Sequence, residues 1–348
     1  MIPDGSGPLI IDTDIGGDPD DAVAVVAAAR TVPDLALVIT NDETTDASDE
    51  TTDASDETND ASDETNDETG RGNGAAGLRA RLARHLLDLC GRSDVPVVAG
   101  AALPGGTGYF CCAGIGSPAA LPGDVVAAVS AVARRPGPVR WLGIGAMTNL
   151  AAVLQARPEL AARLDVTQMG GALRHRDPTR ADHNVGLDPA AAARVLSAVP
   201  RLRFVTSEVT FRPEIEVGSD SPLYRSLAKP GAGPWAAVVR ANFDCWFAGF
   251  HPTSMQHDAL ALAAALGVGV VAFDRVRVGF DAVGRMSRRS DGVAAEISVG
   301  ADYVAFIDWL HRALDLPGLA VSPALVAPAA SRTIGSGRSE PTNTGTVR

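Results

Sequence analysis

Five carboxylates fall within ten residues in the stretch Asp12-Thr13-Asp14-Ile15-Gly16-Gly17-Asp18-Pro19-Asp20-Asp21. Carboxylates this close repel one another unless a cation or bound protons neutralise them. Hard oxygen ligands of this kind suit Ca²⁺ or Mg²⁺ rather than zinc. Gly16 and Gly17 allow the tight backbone that turns the side chains inward. Helix capping accounts for one of the acids and dipole stabilisation for a second, but neither accounts for five. An EF-hand loop does not fit, because its twelfth position counted from Asp12 is Val23 where a Glu is required. The stretch is therefore a candidate carboxylate site for a hard cation or a substrate.

The elements that must position these acids alternate between two periodicities. Leu9 to Asp14 is a short apolar strand, Asp20 to Arg30 a buried helix, and Leu35 to Thr40 the next strand. Further along, Gly77–Leu89, Asp124–Arg134, Asn149–Gln155 and Asp188–Ala198 read as helices. Val95–Ala99, Val139–Ile144, Leu164–Met169 and Leu202–Thr206 read as the strands between them. The alternation predicts an α/β fold: a Rossmann-like, mostly parallel central sheet with helices on both faces, in a single large domain. Ligands in such sheets bind beyond the carboxyl ends of the strands, where the acidic stretch lies. A dehalogenase-type phosphatase also begins with strand-Asp-x-Asp, but it wants Thr or Val at the position of Gly16 and a later Lys. Lys229 is the only lysine, in a Pro- and Gly-rich context.

Asp12 to Ala24 resembles the N-terminal signature DTDPGxDDAxA of the inosine-uridine-preferring nucleoside hydrolases. Later segments match that family in the same order. GIGAMTNL from Gly143 resembles its GPLTN turn, and Met169-Gly170-Gly171 its MGG. Ala181-Asp182-His183-Asn184 followed by Asp188-Pro189-Ala190 resembles AE(F/H)N…DPEA, and His257-Asp258-Ala259-Leu260-Ala261 resembles HDPLA. The matches span roughly residues 9 to 315. The chain departs from the family pattern at Ile15, in place of Pro, and at Asp182, in place of Glu. Its acidic loop is also two residues longer, which makes Asp18 an additional carboxylate of open role.

The resemblance implies an N-ribohydrolase that cleaves the bond between ribose C1′ and a base nitrogen. It implies that Asp14, Asp21, Asp258 and the backbone carbonyl of Ile144 hold Ca²⁺, with Asp14 also taking the proton of the attacking water. Asp20, Asp182, Asn184 and Asp258 would grip the ribose, and His257 would protonate the leaving base. Taken alone, His257 and Asp258 read as a helix-start histidine and an N-cap; their place in the ordered motifs gives them these roles. At the end of the second strand the family has a substrate-binding Asn. Asn41, Asn66 and Asn73 compete for that role, with Asn41 favoured by position. The resemblance further implies a homodimer or homotetramer acting on small ribonucleosides. A non-catalytic protein that binds ribose or Ca²⁺ on the same fold is the non-enzymatic alternative.

The chain has 348 residues and a net charge of −12, enough length for a sizeable core. The acidity is local. Asp42 to Thr69 carries a seven-residue repeat, TTDASDE twice and then TNDASDE, with 13 acids and no base. Outside it, 29 acidic residues face 30 basic ones, which argues against a nucleic-acid binder. No apolar run reaches the ~20 residues of a membrane helix. The four Cys lack metal-finger spacing, and Met1 to Leu9 lacks a basic and apolar leader, so reduced thiols in the cytoplasm are expected. The organisation expected is a catalytic domain over 1–320, interrupted by a disordered acidic loop at 42–69, with a disordered tail at 329–348. Removing Thr44 to Asn66 is expected to leave a folded protein whose stability changes by about 1 kcal/mol, because closure entropy grows slowly with loop length. Thermal unfolding of the shortened chain checks this, and loss of the cooperative transition would contradict the assignment of the repeat as disordered.

Overall fold

The computed structural model describes residues 7–43, 77–103, 110–112, 114–116, 121 and 123–319. Most of the acidic repeat, Asn66, Asn73 and the 329–348 tail lie outside the described residues. In chain order the elements begin β1 (Leu9–Thr13), α1 (Asp20–Thr31), β2 (Leu35–Glu43), α2 (Leu78–Leu89), β3 (Val97–Leu103), α3 (Val125–Val132) and β4 (Val139–Gly143). They continue α4 (Thr148–Ala156), β5 (Leu164–Met169), α5 (His183–Gly186), α6 (Pro189–Ala198), β6 (Leu202–Val205), α7 (Ser207–Thr210), β7 (Glu216–Gly218) and α8 (Pro222–Ser226). The last are α9 (Pro234–Gly249), β8 (Thr253–Met255), α10 (His257–Ala265), β9 (Val271–Phe280), β10 (Met286–Arg288), β11 (Val293–Ala301) and α11 (Tyr303–Leu314).

The main sheet runs β10-β9-β11-β6-β5-β4-β1-β2-β3, and from β11 to β3 all its neighbours are parallel. The central strands are apolar on both faces, as strands with helices above and below must be. β1 shows the division of labour: Leu9 and Ile11 join the core formed with α1, α2, α9, α10 and α11, whereas Ile10 joins the core under α3, α4 and α6. α1 is buried at every residue from Asp20 to Ala29, and its Ala and Val side chains let the neighbouring helices close around it. It ends where Pro33 forces Val32 into the extended region, at φ −108° and ψ 97°.

Two features extend what the sequence pattern predicts. β2 runs on through Asn41 to Glu43, because Asp42 and Glu43 pair with Ala102 and Leu103 of β3. Beyond β6 the alternation stops, and β9, β10 and β11 form an antiparallel ribbon on the sheet edge, with β11 parallel to β6. Among the described residues no helix is long and apolar enough to cross a membrane.

Chain order places the site. From β1 the sheet grows one way through β2 and β3, and then returns to the other side of β1 with β4. The crevice beyond the carboxyl ends of β1 and β4 is thus the topological switch point, where such sheets bind ligands.

Candidate active site

The site is built outward from Asp12 at the end of β1, which is 1% exposed. Its Oδ1 accepts from Asn149 Nδ2 at 2.8 Å and from Asn41 Nδ2 at 3.2 Å, while Oδ2 has no partner among the described residues. Burial pushes the Asp12 carboxyl up to about 8, although both amides pull the other way. Asn149, in the first turn of α4, also accepts from Ala101 N–H at 2.8 Å and donates to Thr40 O and Asn41 Oδ1. One amide therefore joins β1, β2, β3 and α4. Gly100 is required for this approach, since a Cβ there would sit 2.4 Å from the Thr40 carbonyl oxygen. Asn41 is completely buried, and it also donates to Ala146 O at 3.2 Å. It lies in the floor of the crevice with both amide hydrogens already engaged.

Above this floor the β1–α1 loop meets the start of α10. Asp20, Asp21 and Asp258 are buried, and each offers a carboxylate oxygen within 4.8 Å of the others. Asp20 and Asp21 lie in the first turn of α1 and Asp258 in the first turn of α10, so two positive helix ends face the group. Asp258 N–H donates to Asp20 Oδ2 at 3.3 Å, and Thr13 Oγ1 donates to Asp21 Oδ1. Burial holds the Asp21 carboxyl up near 8, with Asp20 adding to the shift, and raises Asp20 and Asp258 well above the ordinary carboxylate range. Asp14 acts electrostatically on Asp18 and Asp258, which places it in the same group. Asp18, the additional carboxylate, accepts from Ser254 Oγ of β8, and burial raises it to about 7. Gly16, at φ +109°, turns the loop beneath the ring of Phe110, which leaves no room for a Cβ.

The rim comes from the ends of β4, β5 and β6. Ile144 N–H donates to Asp12 O at 2.8 Å, and its own carbonyl accepts from Asn184 Nδ2 at 3.3 Å. Asn184 also donates to Met169 O. Asp182 accepts from Ser207 Oγ through Oδ2, while its buried Oδ1 has no partner among the described residues. His257 faces Asp182 electrostatically; burial lowers the imidazole to about 4, the Asp182 charge opposes the shift and Arg176 assists it. Nδ1 of His257 is buried with no partner among the described residues, and Phe211 stacks on the ring at 6.0 Å between centroids.

The crevice thus brings together Asp14, Asp20, Asp21, Ile144, Asp182, Asn184, His257 and Asp258, with Asn41 beneath them. Trp235 and Phe243 of α9 are core, and His175 and His251 bond to the nearby carbonyls of Asp177 and Thr253. Lys229 follows α8 and lies against Gly318 beyond α11. Sequence reasoning missed Thr13, Arg79, Asn149, Asn242 and Ser254. Asn149 was visible as the Asn of the GAMTN turn, and Thr13 as the residue between two acids. Asn242, which donates to Gly17 O at 2.8 Å, and Arg79, which donates to Ile15 O at 3.0 Å, carry no local signal.

The profile of the family described as inosine-uridine preferring nucleoside hydrolase matches residues 68–308. The chain is 25% identical over 337 residues to the pyrimidine-specific ribonucleoside hydrolase RihA of Enterobacter sp. strain 638, covering 88% of this chain and 97% of that protein. It is 26% identical over 239 residues to RihA of Shewanella woodyi, covering 64% of this chain and 67% of the relative. Among solved structures, the plant nucleoside hydrolase PpNRh1 matches with a TM-score of 0.67 at 19% identity, over 89% of this chain and 99% of that one. A purine-preferring ribonucleoside hydrolase from Gardnerella vaginalis matches with a TM-score of 0.66 at 18% identity, over 88% and 98% of the two chains. At such identities the structural likeness speaks for the fold. Matched by that profile over most of its length, and carrying its acids at the sheet's switch point, the chain belongs to the inosine-uridine preferring nucleoside hydrolase family.

Proposed function

We propose that this nucleoside hydrolase cleaves the N-glycosidic bond of ribonucleosides to ribose and free base, with Asp14 as the base for water and a Ca²⁺ ion at the carboxylate group. The observation that carries the reading is the convergence of Asp20, Asp21 and Asp258, buried and close, at the ends of two helices. A set of hard oxygens whose carboxyls all cling to protons fits a hard divalent cation. Asp14, Asp21, Asp258 and the Ile144 carbonyl would hold it. When bound, such an ion lowers the pKa of water and fixes the ribose hydroxyls.

The chain's own groups supply the rest. Water's oxygen attaches to C1′ as its proton passes to the Asp14 carboxylate. The C1′–N bond breaks through an oxocarbenium-like state, and its electron pair leaves with the base. Asp20 and Asp258 would accept from ribose hydroxyls, and Asp182, through its unpartnered Oδ1, and Asn184 would hold the remainder of the sugar. Asn41 has one acceptor lone pair to offer there, besides holding Asp12. His257 is neutral at pH 7 in this setting, so it must gain a proton when substrate binds before it can protonate the departing nitrogen. The Asp182 charge favours that step. By the family resemblance we further propose a cytoplasmic homodimer or homotetramer; four cysteines free of disulfides suit a reducing compartment.

Ribose release from inosine, uridine, cytidine and adenosine tests the activity and sets the base preference; tight binding without release would identify a binding protein instead. Asp14→Asn is expected to lower kcat by about 10²–10⁴-fold, the range for loss of a general base. Unchanged turnover in that variant, or after exhaustive chelation, would overturn the assignment of base and cation.

Ca²⁺ binding has a definite pH dependence. With no cation the Asp21 carboxyl titrates near 8, and Asp20 and Asp258 hold their protons beyond the ordinary range. Ca²⁺ must displace these protons, so its apparent affinity is expected to rise from about pH 6 to 9, with proton release on binding. Calorimetry in buffers of different ionisation enthalpy measures both; an affinity independent of pH would contradict the site.

His257 is separable by leaving group. p-Nitrophenolate departs without a proton, so His257→Ala is expected to spare p-nitrophenyl riboside while inosine hydrolysis falls by about 10²–10⁴-fold. Equal losses on both substrates would leave His257 as a positioning group.

A further inference from the structure

Arg79 is 4% exposed and lies at the start of α2, the first helix beyond the acidic repeat. Burying a guanidinium in a protein interior is unfavourable unless its donors and charge are satisfied. Here Nη1 donates to the carbonyl oxygens of Asp14 and, at 3.0 Å, of Ile15, two consecutive peptides of the carboxylate loop. The ring of Phe110 covers the guanidinium at 5.6 Å. That ring also packs on Gly16, and the next residue, Cys111, donates its N–H to Gly16 O at 2.6 Å. The positive charge acts on Asp21, where it favours the carboxylate.

The same helix provides a contrast. Arg84 also anchors carbonyls, those of Val95 and, at 2.8 Å, of Arg92, but these form the turn into β3, away from the crevice. Both arginines fix backbone. Only Arg79 fixes the peptide whose side chain is the proposed base.

We propose that Arg79 is a positioning residue of the hydrolytic site: it clamps the Asp14 and Ile15 peptides so that the Asp14 carboxylate faces Asp20, Asp21 and Asp258, and it places a fixed positive charge beside Asp21. This rests on the reading of Asp14 and the cation site given above. An arginine suits the task because its planar group is always charged and holds its donors in a rigid fork against the carbonyls. Lysine keeps the charge without the fork.

The test compares Arg79→Met, Arg79→Lys and Arg79→Ala with Arg84→Met. Ca²⁺ binding is followed by calorimetry without substrate, and nucleoside turnover at saturating Ca²⁺. Arg79→Met is expected to weaken Ca²⁺ binding by about 10–100-fold, the usual effect of removing a group that supports metal ligands. Its kcat should fall with little change in KM, because the base and not the sugar grip is disturbed. Arg79→Lys should recover part of the Ca²⁺ affinity but less of kcat, and millimolar guanidinium should restore part of the turnover of Arg79→Ala. Arg84→Met should lower the melting temperature and leave Ca²⁺ affinity intact. Wild-type Ca²⁺ affinity and kcat in Arg79→Met, or an equal loss of Ca²⁺ affinity in Arg84→Met, would overturn the proposal. If Arg79→Met does not fold, absence of guanidinium rescue together with full activity of Arg79→Lys has the same force. A wild-type protein that neither binds Ca²⁺ nor releases base would instead sink the parent reading.

Discussion

Like charge in a confined space is the constraint on which this structure depends. Asp14, Asp18, Asp20, Asp21 and Asp258 converge where β1 gives way to α1, and most of them are cut off from water. Left to themselves such groups would separate or take up protons. The fold prevents separation by ordinary means: two helix N-termini point at the group, Thr13 and Ser254 donate hydroxyls, and Arg79 holds the loop from behind. Protonation is left as the default, and the raised carboxyls are its signature. A cation that displaced those protons would relieve the repulsion.

The neighbouring architecture follows from the need to keep that arrangement rigid. Asp12, just below the group, is tied by Asn149 and Asn41 into three adjacent strands and one helix, so the ends of β1, β2 and β3 cannot shift independently. α1 carries two of the acids at its first turn and is Ala and Val from Ala22 to Ala29, small enough to be enclosed by α2, α9, α10 and α11. A bulkier helix would hold α10 away and with it Asp258. The position of the third carboxylate therefore depends on the size of side chains two turns further along α1.

The opposite side of the crevice has different electrostatics. His257 is half-buried, its imidazole lowered to about 4 by desolvation, and it is flanked by Asp182 and Arg176, whose charges act on it in opposite senses. The aromatic face of Phe211 lies against it, half open to solvent. One wall is thus anionic and suited to hydroxyl groups and a cation, and the other is aromatic and imidazole-lined and suited to a flat heterocycle. A nucleoside has these two halves, joined by the bond that is cut.

Sequence by itself determined the parts that depend on short-range pattern. The five acids between Asp12 and Asp21, the alternating strands and helices up to β6, and the ordered turns at Gly143, Met169, Ala181 and His257 were all legible. Each is written in neighbouring residues or in a periodicity. Tertiary structure alone decided what depends on approach between distant segments. The continuation of β2 to Glu43 is fixed by its partner β3, and the antiparallel ribbon of β9 to β11 by the open edge beside β6. Asp18 proved to be held by Ser254, 236 positions away, and Asn41 to be committed to Asp12 and Ala146 in the floor. Arg79 reads in sequence as one more arginine of an amphipathic helix. Its meaning comes from the carbonyls opposite it, and a linear sequence carries no record of what a side chain will face once the chain has closed on itself.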